Sequence, residues 1–103
     1  MVKTELEKKY ELVVIVDAKL TNEAKQSILQ EVTDTIDKVG GKIINNEVWL
    51  EKQKFTAKIK KCLEGTYYLI NFSAQRSAIA KIRSILRLNE KILRFVVMIQ
   101  ENS

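Results

Sequence analysis

The stretch from Val48 to Phe72, VWLEKQKFTAKIKKCLEGTYYLINF, decides the fold. It reads as a long β-hairpin. Its first arm carries Lys52, Lys54, Lys58, Lys60 and Lys61, and its second carries the aromatics Tyr67, Tyr68 and Phe72. Before Glu51 the apolar residues sit at even positions (Ile44, Val48, Leu50). After it they sit at odd positions (Phe55, Ala57, Ile59). Strand alternation has a period of two, so parity cannot change without an extra residue. The spacing therefore predicts a bulge between Glu51 and Lys54. Residues 61–65 read as the turn, with Gly65 as its positive-φ residue, and 66–73 as the return strand. A basic arm beside an aromatic arm fits a nucleic-acid-binding module. It equally fits a hairpin with one wet face and one buried face.

Working outward, residues 9–17 alternate as a strand. Tyr10, Leu12, Val14 and Val16 share one face. Glu11, Val13, Ile15 and Asp17 share the other, which is only half polar, as in a central strand or a face covered by a partner. Thr21 is a good N-cap, and Ile28, Leu29, Val32, Ile36 and Val39 recur at helical spacing. Gly40-Gly41 supplies a left-handed helix end. Lys42 to Ile59 is then a second strand. Beyond the hairpin, Ser73 is a capping residue for a helix over 74–88, with Ile79, Ile82 and Leu86 on one stripe and Asn89 as C-cap. Residues 92–100 form a last strand with Leu93, Phe95, Val97 and Ile99 on one side. The order is β-α-β-β-α-β, an α+β ferredoxin-like sandwich: a four-stranded antiparallel sheet with both helices on one face. Residues 1–103 form one such domain, with an ordered core over 8–101 and short frayed ends. This fold hosts many functions, so the site must decide between them.

The charge is unevenly placed. The formal net charge is +5. Residues 1–51 hold 7 Lys/Arg against 10 Asp/Glu, a net of −3, and residues 52–103 hold 11 against 3, a net of +8. A basic half-domain attracts polyanions because neutralising phosphates releases counterions. Against this stands the reading of lysines as a solubilising surface. The single cysteine, Cys62, has no disulfide partner, which fits a reducing compartment. No apolar run reaches the ~20 residues of a membrane helix.

Catalytic chemistry is poorly supplied. With no histidine, the usual general base near neutral pH is missing and Cys62 has no activating partner. One thiol and no imidazole do not make a zinc site, and the glycine pair ends a helix rather than opening one, the wrong context for phosphate binding. A small hydrolase on this fold needs arginine and asparagine in the loop after the first strand, and Asp17-Ala18-Lys19-Leu20 supplies neither. No enzyme and no cofactor are expected. An RNA-recognition motif shares the topology, but its third strand carries stacking aromatics. Here those positions hold Thr66 and Asn71, which assigns Tyr68 and Phe72 to the core.

Five motifs in order resemble one family. They are Lys8-Lys9-Tyr10-Glu11 at the first strand, the helix-ending Gly40-Gly41, and Trp49 followed by Lys52, Lys54 and Phe55-Thr56-Ala57-Lys58-Ile59. Then come Lys60-Lys61-Cys62-Leu63-Glu64-Gly65-Thr66-Tyr67-Tyr68, and Leu86, Asn89, Glu90, Ile92, Leu93 and Arg94. Over about residues 8–101 the chain resembles the bacterial small-subunit ribosomal protein S-six family. It departs from the pattern at Leu50, Ala57 and Lys58, and in one extra residue after Trp49, where the parity switch independently calls for a bulge. The resemblance implies a structural protein of the small ribosomal subunit, in the cytoplasm or an organellar matrix. It implies binding to the central domain of small-subunit rRNA together with ribosomal protein S-eighteen. It makes Lys8, Lys9, Lys52, Lys54, Arg87 and Arg94 the expected RNA contacts, with Lys58 and Lys60 behind them. Trp49 is an expected partner contact or, equally, a strand residue half-buried in the domain's own core. The residues themselves make Val13 and Ile15, on the open face of the sheet, expected contacts of a partner such as a second copy. The competing reading is a protein-interaction or small-ligand regulatory module that dimerises through its sheet.

Overall fold

The computed structural model describes residues 6–100. Its elements are β1 (Glu7–Asp17), α1 (Asn22–Lys38), β2 (Lys42–Ile59), β3 (Cys62–Gln75), α2 (Arg76–Arg87) and β4 (Arg94–Ile99). The strands form one sheet in the order β2-β3-β1-β4, and every neighbouring pair is antiparallel. This is the expected ferredoxin-like topology. Of the expected frayed ends, residues 1–5 and 101–103 lie outside the described residues. Glu7 and Lys8 are strand, held by pairing with Gln75 and Ala74.

β1 lies in the middle of the sheet, and its β-branched run Val13–Val16 suits a strand buried on both faces. Leu12, Val14 and Val16 meet Ile70 and Phe72 of β3, Ile28, Val32 and Ile36 of α1, and Ile82 and Leu86 of α2 in the main core. α1 starts where Thr21 Oγ1 accepts the Ala24 amide at 3.1 Å. It ends in a Schellman turn. The Gly41 amide donates to the Ile36 carbonyl at 2.8 Å, and the Gly40 amide to Asp37 at 3.0 Å, with Gly40 at φ +89.

The second half differs from expectation at three junctions. Ser73 caps nothing. It is a β3 residue paired with both Lys9 and Lys42, and α2 starts only at Arg76. The ladder to β1 continues through Gln75, and burial of Ala74 extends the strand past the preferred capping residue. Asn89 follows the cap residue Leu88 and shapes the next turn, accepting the Lys91 amide at 3.0 Å and donating to Glu31 at 3.2 Å. β4 begins at Arg94 because Ile92 and Leu93 are spent on packing. Ile92 enters the main core and Leu93 turns to the opposite face, so Leu93 does not share a side with Phe95 and Val97.

The hairpin turn is also tighter than expected. Ile59 faces Cys62, and the two residues between them, Lys60 and Lys61, have φ values of +48 and +69. Positive φ at both central residues matches the twist of two-residue hairpins. Gly65 is not in the turn. It lies in β3 opposite Gln53 and Asp17, and is required for space. A Cβ there would run into the Phe55 ring and sit 2.7 Å from Ile15 Cγ2. Gly65→Ala should therefore cost about 1–3 kcal/mol through overpacking. Urea denaturation that finds it neutral would disprove the close approach.

The irregularity expected between Glu51 and Lys54 is present, as a register shift between Leu50 and Gln53. Three further shifts, at Ile43/Asn45, Val48/Leu50 and Lys54/Ile59, were not foreseen. Together they let the hairpin curl. Phe55 and Ile59 fold onto Val13, Ile15 and Leu93, with Tyr67 and Leu69 beside them, as a second cluster. Val13 and Ile15 are only 6% and 7% exposed. The expectation that they lie on an open face is corrected: the chain's own hairpin covers them.

Candidate nucleic-acid interface

All eight lysines and arginines expected to meet RNA are exposed, but they do not form one patch. A row crosses the sheet as Arg94–Ile15–Tyr67–Leu50. It places Arg94 about 14 Å, three strand spacings, from the edge strand β2 that carries Lys52 and Lys54. Arg87 closes α2 and Arg94 opens β4, so the connection between them keeps both at this end. Lys8 and Lys9 lie at the other end of β1. From Lys9 to Ile15 the strand runs about 20 Å. Lys8 and Lys9 also point to opposite faces, since Lys9 alternates with Glu11 and Val13, and Lys8 with Tyr10.

The hairpin lysines are not equivalent. Lys52 borders a cavity with Asn22, Lys25 and Gln26 of α1, on the helix side of the sheet. Lys54 faces Glu64 across the ladder, so part of its charge is offset locally. Lys58 falls within the last register shift and has no ladder partner. Lys60 is partly committed to the fold: its Nζ donates to the Ile92 carbonyl at 3.0 Å, tying the hairpin tip to the segment before β4. Two cations outside the expected set, Arg76 and Arg83, stand with Lys8 around one groove. Their seven-residue spacing on a helix is the signal for them in the sequence.

Trp49 is 54% exposed and meets Tyr67 edge-on, with ring centroids 6.1 Å apart. Leu50, opposite Tyr67, is exposed beside it and the two give a small apolar surface on β2, whereas the exposed Val48 faces the helix side opposite Tyr68. A second apolar exposure, Val96 and Met98 on the edge strand β4, was not anticipated. The unbroken apolar run Phe95–Ile99 is its sequence signal. Tyr68 and Phe72 are core, as the motif comparison required.

Cys62 has the opposite of an activated thiol. Burial pushes its pKa up, the neighbouring Asp17 adds a hydrogen bond and repulsion in the same direction, and Lys19 only partly opposes them. A raised pKa leaves less thiolate at a given pH, so alkylation should be slower in the folded protein than in the urea-unfolded chain throughout pH 7–9. Asp17→Asn should speed it. Equal rates folded and unfolded would contradict this. Among the described residues no cluster of three metal-ligating side chains occurs, and no helix is long and apolar enough to cross a membrane.

The family described as ribosomal protein S6 matches residues 9–98. Small ribosomal subunit protein bS6 of Campylobacter jejuni is 35% identical over 95 residues, covering 92% of this chain and 75% of that protein. The bS6 of Clostridium botulinum is 29% identical over 94 residues, covering 91% and 99%. The crystal structure of 30S ribosomal protein S6 from Thermotoga maritima superposes with a TM-score of 0.83 at 26% identity, covering 92% of this chain and 89% of that one. The C-terminal domain of MgtC from Mycobacterium tuberculosis shares the fold alone, with a TM-score of 0.62 at 9% identity over 97% and 95% of the two chains. With nearly the whole described chain matched in sequence and in topology, this chain belongs to the ribosomal protein S6 family of the small ribosomal subunit.

Proposed function

We propose that this protein binds the central domain of small-subunit rRNA, together with ribosomal protein S-eighteen, as a structural constituent of the subunit. The observation that carries the reading is that Lys52, Lys54, Arg87 and Arg94 lie at one end of the sheet, Lys52 on its helix side and Arg94 on the opposite face beside Ile15, in a member of this family. Cations on both faces of one sheet end suit folded RNA, recognised by shape and phosphate rather than by stacked bases. Lys8 and Lys9 reach a separate stretch of RNA about 20 Å away along β1. Lys58 adds charge at the hairpin, and Lys60 contributes less because it already serves a carbonyl of its own chain.

The protein partner meets the exposed apolar surface around Trp49. Val13 and Ile15 act beneath it: their cluster supports Tyr67, against which Trp49 rests. Purified protein should bind a central-domain rRNA fragment weakly alone and tightly with S-eighteen. The logarithm of affinity should fall linearly with the logarithm of salt concentration. Protein that stays free of small subunits in low-salt lysate, or that purifies as a stable RNA-free homodimer, would overturn this and favour the regulatory module.

A further inference from the structure

We infer that α2 and the edge of β4 form a second RNA seat. It is a groove that takes one nucleotide of an unpaired or looped strand, its phosphate held by Lys8, Arg76 and Arg83. This rests on the rRNA reading above and adds a site to it.

The groove has a volume of about 640 Å³, within the range of sites that enclose small ligands. Three cations line it and no carboxylate does. Its floor is apolar: Tyr10, Val97 and Ile99 lie there. The fold brings the cations together by two independent routes. Arg76 and Arg83 are seven residues apart on α2, about 20° from one another around the helix axis. Lys8 arrives because β1 pairs Glu7 with Gln75, the residue immediately before α2.

The chemistry divides along the groove. Guanidinium forks match phosphate oxygens bidentately, and a lysine adds a point charge. An apolar floor with an aromatic edge takes a ribose or the face of a base, and unstacked bases of this kind occur in loops rather than in duplexes. Ile99 is half exposed on this floor, an apolar side chain that a nucleotide would cover. The cationic line continues beyond the groove, for Arg87 falls on the same stripe of α2. Arg76 to Arg87 then spans about 16 Å. A line of that length suits a polyanion better than the few carboxylates of a peptide.

The test uses the complex with S-eighteen and a central-domain rRNA fragment. Arg76→Gln with Arg83→Gln should weaken binding about tenfold or more. It should also flatten the salt slope by up to about 0.7, the share of the one single-stranded phosphate held at this seat. A single-stranded oligonucleotide should then compete poorly for the variant, while a duplex competitor is unaffected. If the double variant melts early, Arg83→Gln alone should flatten the slope in the same direction by less than about 0.7. Unchanged affinity and slope, with the parent binding normally, would overturn the groove and leave the wider reading standing. A parent without affinity for rRNA would overturn both. Loss of S-eighteen binding in the absence of RNA would make the groove a protein seat and overturn it as well.

Discussion

Phe72→Ala should lower the free energy of unfolding by about 3–5 kcal/mol, a large share of the ~5–15 kcal/mol typical of a domain. Phe72 is fully buried in β3, between its ladder partners Tyr10 of β1 and Ile43 of β2. Its ring stacks on Tyr10 at 5.6 Å with an interplanar angle of 24°. Both helices close over the cluster that contains it, so there is little room for neighbours to collapse into the hole. Phe55→Ala is the informative contrast. That ring is only partly buried and belongs to the smaller cluster under the curled hairpin, so about 1–2 kcal/mol is expected, from the apolar area uncovered. Chemical denaturation of the two variants with unchanged m-values checks both. Equal losses would mean that the hairpin cluster is as much a part of the cooperative core as the helix-covered one.

The contrast also marks what the sequence makes legible. One buried face of β1 and one stripe on each helix are written as periodicity, because each is set by a single element's geometry. Thr21 and Gly40 are legible for the same local reason. So is the irregularity after Leu50, since a buried face forbids a parity change without an extra residue. The turn at Lys60-Lys61 is not, because neither residue favours positive φ and the nearby Gly65 is the natural choice. There the glycine answers to Phe55 and Ile15, residues distant in sequence. Ser73 misleads in the same way, since a capping preference of about 1 kcal/mol loses to ladder bonds and the burial of Ala74.

The candidate site divides along the same line. Which residues are cationic is plain from the sequence, but which of them are neighbours depends on register. Lys8 and Lys9 are adjacent in sequence and stand on opposite faces of the sheet, one beside Arg76 and Arg83 and the other not. Arg94 and Leu50 are 44 positions apart and share one row. Val13 and Ile15 read as an open apolar face only while the hairpin is taken as straight. Three of its four register shifts leave no mark in the apolar parity.

Lys52→Glu with Lys54→Glu should reduce affinity for the rRNA fragment about a hundredfold and impair incorporation into small subunits. Each change removes one phosphate contact and sets a like charge against the backbone, which costs more than neutralisation alone. The fold should survive. Both side chains are exposed, and surface changes usually stay within about 0.5 kcal/mol. The one added cost is a carboxylate placed opposite Glu64, worth about 0.2–1 kcal/mol. Lys60→Glu is the control that separates charge from structure. It removes one positive charge from the same hairpin but also breaks the bond to the Ile92 carbonyl, so its larger effect should be on stability near the hairpin tip, seen as faster amide exchange around Cys62 and Leu93. If the double variant enters subunits normally while Arg87→Glu with Arg94→Glu does not, the RNA lies on the α2–β4 side of that end of the sheet. The hairpin would then serve the protein partner through Trp49.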